Sequence, residues 1–183
     1  MPCRITFNIM RYALNSPIYN WTAKDKFLYA LSMIPFIALF VGTLYILSGY
    51  PVFIAAGWII LYLIVNVFQA GCCVGCPYRG KYCPAFVGVY LGNLLSGIIY
   101  KNREYDAKFF ERNAAGGEIT LTLFFLFPLY WLFISNWGYV PIYLGLVVLH
   151  IILFMPTQCP KCSYNETCPG GKAYQNYRKL FRK

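Results

Sequence analysis

The chain has 183 residues, of which 59% are hydrophobic, 20% aromatic and only 12% charged. Soluble domains carry roughly a quarter of their residues as charges, so an ordinary soluble fold is excluded and an all-α integral membrane protein is expected. The net charge of +10 invites a nucleic-acid reading. The basic residues instead sit in short polar segments beside apolar runs, where anionic lipid and membrane topology place them, so no nucleic acid is expected.

Residues 1–26 are polar and aromatic, with Arg4, Arg11, Lys24 and Lys26. They read as a lead carrying a short interfacial helix, with Phe7, Met10 and Leu14 on its lipid side. Residues 27–47 form an uncharged run long enough to span a bilayer. Ser48, Gly49, Tyr50 and Pro51 make a tight turn, and residues 52–70 make a second span. The first cysteine stretch comes immediately after it. Residues 85–99 are apolar but rich in small residues, with Gly88, Gly92 and Ser96 at four-residue spacing, a smooth face on which another backbone can approach closely. Residues 101–118 are strongly charged. Residues 119–135 and 139–155 then form a second hairpin across Asn136, Trp137 and Gly138. The second cysteine stretch and a basic aromatic tail close the chain. In that tail Tyr174, Tyr177, Arg178, Lys179, Phe181, Arg182 and Lys183 read as an anchor on anionic lipid.

Charge bias decides how many segments cross. With four spans, all sixteen Lys and Arg lie on one side and the two turns on the other carry no charge. If residues 85–99 also spanned, ten would lie opposite the remaining six. The positive-inside rule prefers the first arrangement. The expected fold is therefore four transmembrane helices in two hairpins, with a short re-entrant or interfacial helix within 85–99. Both termini and both cysteine stretches are expected on the cytoplasmic face. The chain reads as one membrane domain with internal halves of approximately 1–100 and 101–183. Each half has a basic aromatic lead, a hairpin with a mid-span proline (Pro35, Pro128) and a cysteine stretch. The repeat is degenerate: corresponding first cysteines are 86 residues apart, third cysteines 85 and the prolines 93.

The cysteines carry the chemistry. Cys73, Cys76 and Cys83 form one C-x2-C-x6-C-P motif; Cys159, Cys162 and Cys168 form a C-x2-C-x5-C-P motif. Cytoplasmic cysteines are kept reduced, so close-set thiols there read as metal-binding or catalytic, not as a disulfide framework. Three thiolates per motif are one short of the usual four for zinc or a 4Fe-4S cluster. Adding Cys3 and Cys72 makes eight, enough for two four-thiolate sites. The alternative grouping of Cys73, Cys76, Cys159 and Cys162 as one zinc site would leave Cys83 and Cys168 over.

The second motif and the glycine pair beyond it, Cys159-x2-Cys162-x5-Cys168-Pro169-Gly170-Gly171, resemble the C-x2-C-x5-C-x-G-G-C pattern of SPASM-type auxiliary-cluster domains in radical-SAM maturases. The motif is also similar to the C-x2-C-x5-C motif of the iron-staple nucleases, which a distant cysteine completes. The resemblance covers about a dozen residues per motif and implies a 4Fe-4S cluster, with no radical-SAM or nuclease chemistry. Lys172 stands where the SPASM pattern has its fourth cysteine, and the first motif has six residues where five are usual.

Within the spans, His150 lies nine residues before Cys159, about 13 Å along a helix. Asn66 and Gln69 lie at comparable depth. Polar groups at such depth form either an acceptor pocket for a quinone-type headgroup or the hydrogen bonds that fix the bundle, and the second role is the commoner. The expected function is electron transfer through two 4Fe-4S clusters to a membrane acceptor or within a larger complex, with the lipid bilayer and protein subunits as partners. A structural zinc subunit or assembly factor is the alternative, and a membrane thiol-redox or metal-trafficking protein the second. No nucleophile–base pair, phosphate loop or carboxylate dyad points to a stand-alone enzyme.

Overall fold

A computed structural model describes residues 19–74, 76–86, 90–104, 106–162 and 169–180, and among these every regular element is helical. The expected interfacial helix around Phe7, Met10 and Leu14 lies outside the described residues, as do Cys3, Gly88, Cys168 and the last three tail residues. The elements are α1 (Ala23–Leu47), α2 (Val52–Cys72), α3 (Tyr90–Ile99), α4 (Ala107–Ser135), α5 (Tyr139–Gln158), a 3₁₀ turn (Cys159–Lys161) and α6 (Pro169–Leu180). Four of these helices, α1, α2, α4 and α5, are long and apolar enough to cross a membrane.

Helix starts are set by local chemistry more than by hydropathy. α1 begins four residues before the apolar run because Thr22 and Asp25 form a capping box, each side chain accepting from the other's backbone N–H. α4 begins twelve residues before residue 119. Asp106 caps it by accepting from Lys108 N–H, and good helix formers such as Ala107, Lys108, Glu111 and Arg112 carry the charged segment as helix beyond the apolar part. α3 has ten described residues, about 15 Å of helix against a hydrocarbon core of about 30 Å. Its Gly92 and Ser96 are buried, and the helix packs on α2, as the small-residue face requires.

The bundle is held across the halves. α2 packs most extensively against α4, and α1 against α5, whereas α1 touches α2 and α5 touches α4 far less. At the α2–α4 contact, Trp58 stacks on Phe124 with 5.0 Å between ring centroids and donates its indole N–H to the Phe124 carbonyl at 3.0 Å. Phe40 of α1 also stacks on Trp58 at 4.8 Å and lies 6.5 Å from Phe124. This cluster of aromatic rings fills the centre with rigid, large side chains. Nearer one end, α2 and α4 approach so closely that a methyl group at Gly71 would overlap Asn113, and one at Gly116 would overlap Phe68.

A polar α1–α5 link lies beside Pro35. Pro35 has no N–H for the Leu31 carbonyl, and its ring disturbs the turn before it. The neighbouring Ser32 carbonyl lies 2.7 Å from His150 Nδ1 across the bundle. Large apolar side chains such as Ile60, Leu63, Val148 and Ile152 face outward, a surface suited to lipid.

Contacts fix which loops share an end. Tyr50 in the first uncharged turn hydrogen-bonds Ser135 Oγ at 2.6 Å beside the second turn. At the other end, the start of α1 meets both cysteine loops: Tyr19 N–H donates to the Tyr78 hydroxyl at 2.6 Å, Tyr29 hydroxyl donates to the Ala85 carbonyl at 3.1 Å, and Asp25 pairs with Lys161.

Candidate metal centre

Each cysteine loop begins where a span ends. Cys73 is the C-cap of α2, its N–H bonded to the Gln69 carbonyl; Cys159 is the C-cap of α5, its N–H bonded to the Met155 carbonyl. Each then turns in the same way. Cys76 N–H donates to the Cys73 carbonyl at 3.1 Å, and Cys162 N–H donates to the Cys159 carbonyl at 3.2 Å. A four-residue turn with a cysteine at each end brings the two cysteines' backbones close, which is what C-x2-C spacing supplies to a shared ligand.

The first loop continues through a turn from Cys76 to Arg79 and another from Tyr78 to Lys81, closed by Lys81 N–H on the Tyr78 carbonyl at 2.9 Å. Gly80 takes φ +73° at the third position of that turn, where a side chain is disfavoured. Asn93 of α3 clamps the same turn with three hydrogen bonds. Its Oδ1 accepts from Gly80 N–H at 2.9 Å, and its Nδ2 donates to the carbonyls of Tyr78 and Lys81 at 3.2 and 2.8 Å. Arg79 reaches the C-terminal end of α3 and donates to the carbonyls of Ser96 and Tyr100, both at 2.7 Å. A guanidinium there satisfies carbonyls that a helix end leaves over and complements its dipole. The second loop is tied to α1 by Lys161, which pairs with Asp25, while Cys159 packs against the main aromatic core.

The six described cysteines, Cys72, Cys73, Cys76, Cys83, Cys159 and Cys162, are all half-buried. Burial pushes the Cys73 thiol up to about 12, and the neighbouring Cys76, Cys72 and Cys162 push it the same way against a lowering pull from Arg79. Burial also pushes Cys83 up, followed by Cys162, Cys76 and Cys73. Cys73 and Cys83 of the first loop are thus each influenced by Cys162 of the second. Among the described residues, no three His, Cys, Asp or Glu side chains stand in the arrangement of a preformed metal cage. The described donors fit a thiolate-bound metal in kind, and the two loops would have to draw in around it.

The polar residues of the spans are placed separately. His150 is buried against Phe36, Phe86 and Phe154, with Nδ1 on the Ser32 carbonyl and Nε2 enclosed without a hydrogen-bond partner. Asn66 is fully buried and donates to the carbonyl of Tyr62 one turn earlier at 2.8 Å; Gln69 is half-buried. The residues sequence reasoning passed over are Asn93, Arg79 and the Asp25–Lys161 pair. Only the last had a signal: Asp25 is the one acidic residue before Glu104 in a basic stretch, so a cationic partner was to be expected. No known protein family, curated protein or solved structure matches this chain.

Proposed function

We propose that this chain is a membrane electron-transfer protein whose cysteine loops hold two 4Fe-4S clusters at one end of the bundle. It passes electrons between a soluble donor and a membrane acceptor, or within a larger complex. The observation that supports it is that both cysteine loops lie at the same end of the bundle, each opening on a C-cap cysteine followed by a closed C-x2-C turn. With Cys3 and Cys72 the eight cysteines are enough for two four-thiolate sites. Positive-inside bias supports a cytoplasmic position for the cysteine end and both termini. The cross-paired helices, α1 with α5 and α2 with α4, keep the same pattern when the halves are exchanged, which supports reading the chain as two repeated halves.

Function rests on the support the loops have. When bound, such clusters supply one-electron transfer with little rearrangement. The chain's own contribution is to hold the thiolates from two helix ends and to set the charge around them. Arg79 acts on Cys73 and stabilises the more negative, reduced state, raising the potential. The test is anaerobic purification with metal analysis. Brown protein that bleaches with dithionite and carries about eight iron atoms per chain is expected, and Cys162→Ser should lower the iron content. Colourless protein with stoichiometric zinc would refute electron transfer and favour a structural zinc role for the same thiols.

A further inference from the structure

The outer wall of the first cysteine loop and the chain leading into α1 enclose an open cleft lined by Tyr19, Trp21, Lys26, Tyr78, Lys81 and Tyr82. Its walls are aromatic and pack edge to face: Trp21 lies 5.1 Å from Tyr19 and 6.0 Å from Tyr82 between ring centroids. Its charge is positive. Among the described residues neither Lys26 nor Lys81 forms an ion pair, and no carboxylate lines the cleft. Asp25, the nearest acid in sequence, is already held by Lys161, Thr22 and Tyr19. The Trp21 indole N–H is enclosed without an acceptor. A buried donor of this kind calls for one.

An aromatic box invites a cationic guest, but lysines already occupy two of its ring faces and make the cleft positive. Lys26 Nζ sits 5.2 Å above the Tyr82 ring and Lys161 Nζ 5.5 Å above the Tyr19 ring. An anion is what remains. Position selects which. The cleft adjoins the Thr22 cap of α1, where the polar lead gives way to a candidate membrane span. Tryptophan, tyrosine and lysine collect at that depth because lipid headgroups lie there.

We propose that this cleft binds the phosphate of an anionic lipid headgroup, with Lys26 and Lys81 supplying charge and the Trp21 ring forming part of the wall. The lipid packs against residues 78–82 of the first cysteine loop and ties that loop to the membrane surface. The proposal does not depend on the metal: lipid binding is read on the full chain whether or not a metal is loaded.

The test is native mass spectrometry of the full chain from bilayer discs containing phosphatidylglycerol and phosphatidylcholine. The wild type should retain one phosphatidylglycerol with a preference of about 25-fold, the product of about fivefold for each lysine near an anionic surface. Lys26→Gln/Lys81→Gln should lose that preference, whereas Lys24→Gln, outside the cleft, should keep it. Brominated phosphatidylglycerol should quench indole fluorescence in the wild type, and Trp21→Phe should lose that quenched component. Equal preference in the wild type and the double lysine variant would overturn the site. Displacement of the lipid by inorganic phosphate at matching concentration would overturn the lipid assignment in favour of a free anion.

Discussion

Replacing Asn93 by alanine tests whether α3 acts as a clamp on the first cysteine loop. The side chain makes three hydrogen bonds to the turn between Cys76 and Cys83, at 2.9, 3.2 and 2.8 Å. Two of the three are solvent-exposed and one partly buried, so each is worth about 0.5–0.7 kcal/mol, near the low end for intramolecular bonds. The turn should lose about 1.5–2 kcal/mol of local stability, or about 10- to 30-fold faster amide exchange. Asn93→Asp separates geometry from bulk. It keeps the acceptor for Gly80 N–H but sets a carboxylate against the carbonyls of Tyr78 and Lys81, so it should exchange as fast as the alanine variant. Hydrogen–deuterium exchange of the peptide covering residues 76–83, with chelator-driven metal loss measured alongside, reads both effects. Metal loss should accelerate by about 10- to 100-fold, the range typical of support removed from ligand-bearing groups. Unchanged exchange across residues 76–83 in both variants would refute the clamp.

Packing and burial set two further outcomes. Gly71→Ala and Gly116→Ala should each cost about 1–2 kcal/mol in thermal unfolding in detergent, because the overlaps with Asn113 and Phe68 outweigh alanine's better helix propensity. Gly97→Ala, with nothing within 4 Å, should be neutral or slightly stabilising. The metal-free protein should lose stability as pH rises. The Cys73 thiol has a folded value of about 12 against an ordinary 9.0, so its contribution is complete below about 9 and disappears on approach to 12. The melting-temperature difference between the wild type and Cys73→Ala should therefore shrink across that interval, and a flat difference would contradict the burial of this thiol.

Much of the architecture was legible because its causes are local or periodic. Uncharged runs of spanning length located the four long helices. Gly92 and Ser96 marked the face by which α3 joins the bundle. The early start of α4 was readable in principle from Asp106 and the helix formers after it, but hydropathy alone ends the helix where the charges begin. The cross-pairing of α1 with α5 and α2 with α4 was not readable, since hairpin sequences state which helices are connected and not which faces fit. Its determinants are single matches of shape: Trp58 clustered with Phe40 and Phe124, and Gly71 and Gly116 receiving Asn113 and Phe68. The cysteine motifs were legible as residue types and spacing. The supports of their loops were not, because they depend on tertiary contacts: Lys161 with Asp25, Arg79 with the end of α3 and Asn93 with the turn at Gly80.

That tethering also separates the metal reading from a thiol-redox one, although both use C-x2-C. Reactive dithiols sit at helix N-termini, where the positive end of the dipole and free N–H groups stabilise a thiolate and lower its pKa. Here the first cysteine of each motif is the C-cap of a span, where leftover carbonyls oppose a thiolate. Burial acts in the same direction on Cys73 and Cys83. A lone thiolate nucleophile at either position is thus disfavoured twice over. A bound cation reverses both terms: it supplies the opposite charge inside the low-dielectric loop, and the carbonyl-rich helix ends then attract the site. Under the proposed function, the geometry that makes a poor oxidoreductase dithiol is compatible with thiols that become ligands only when a metal is bound.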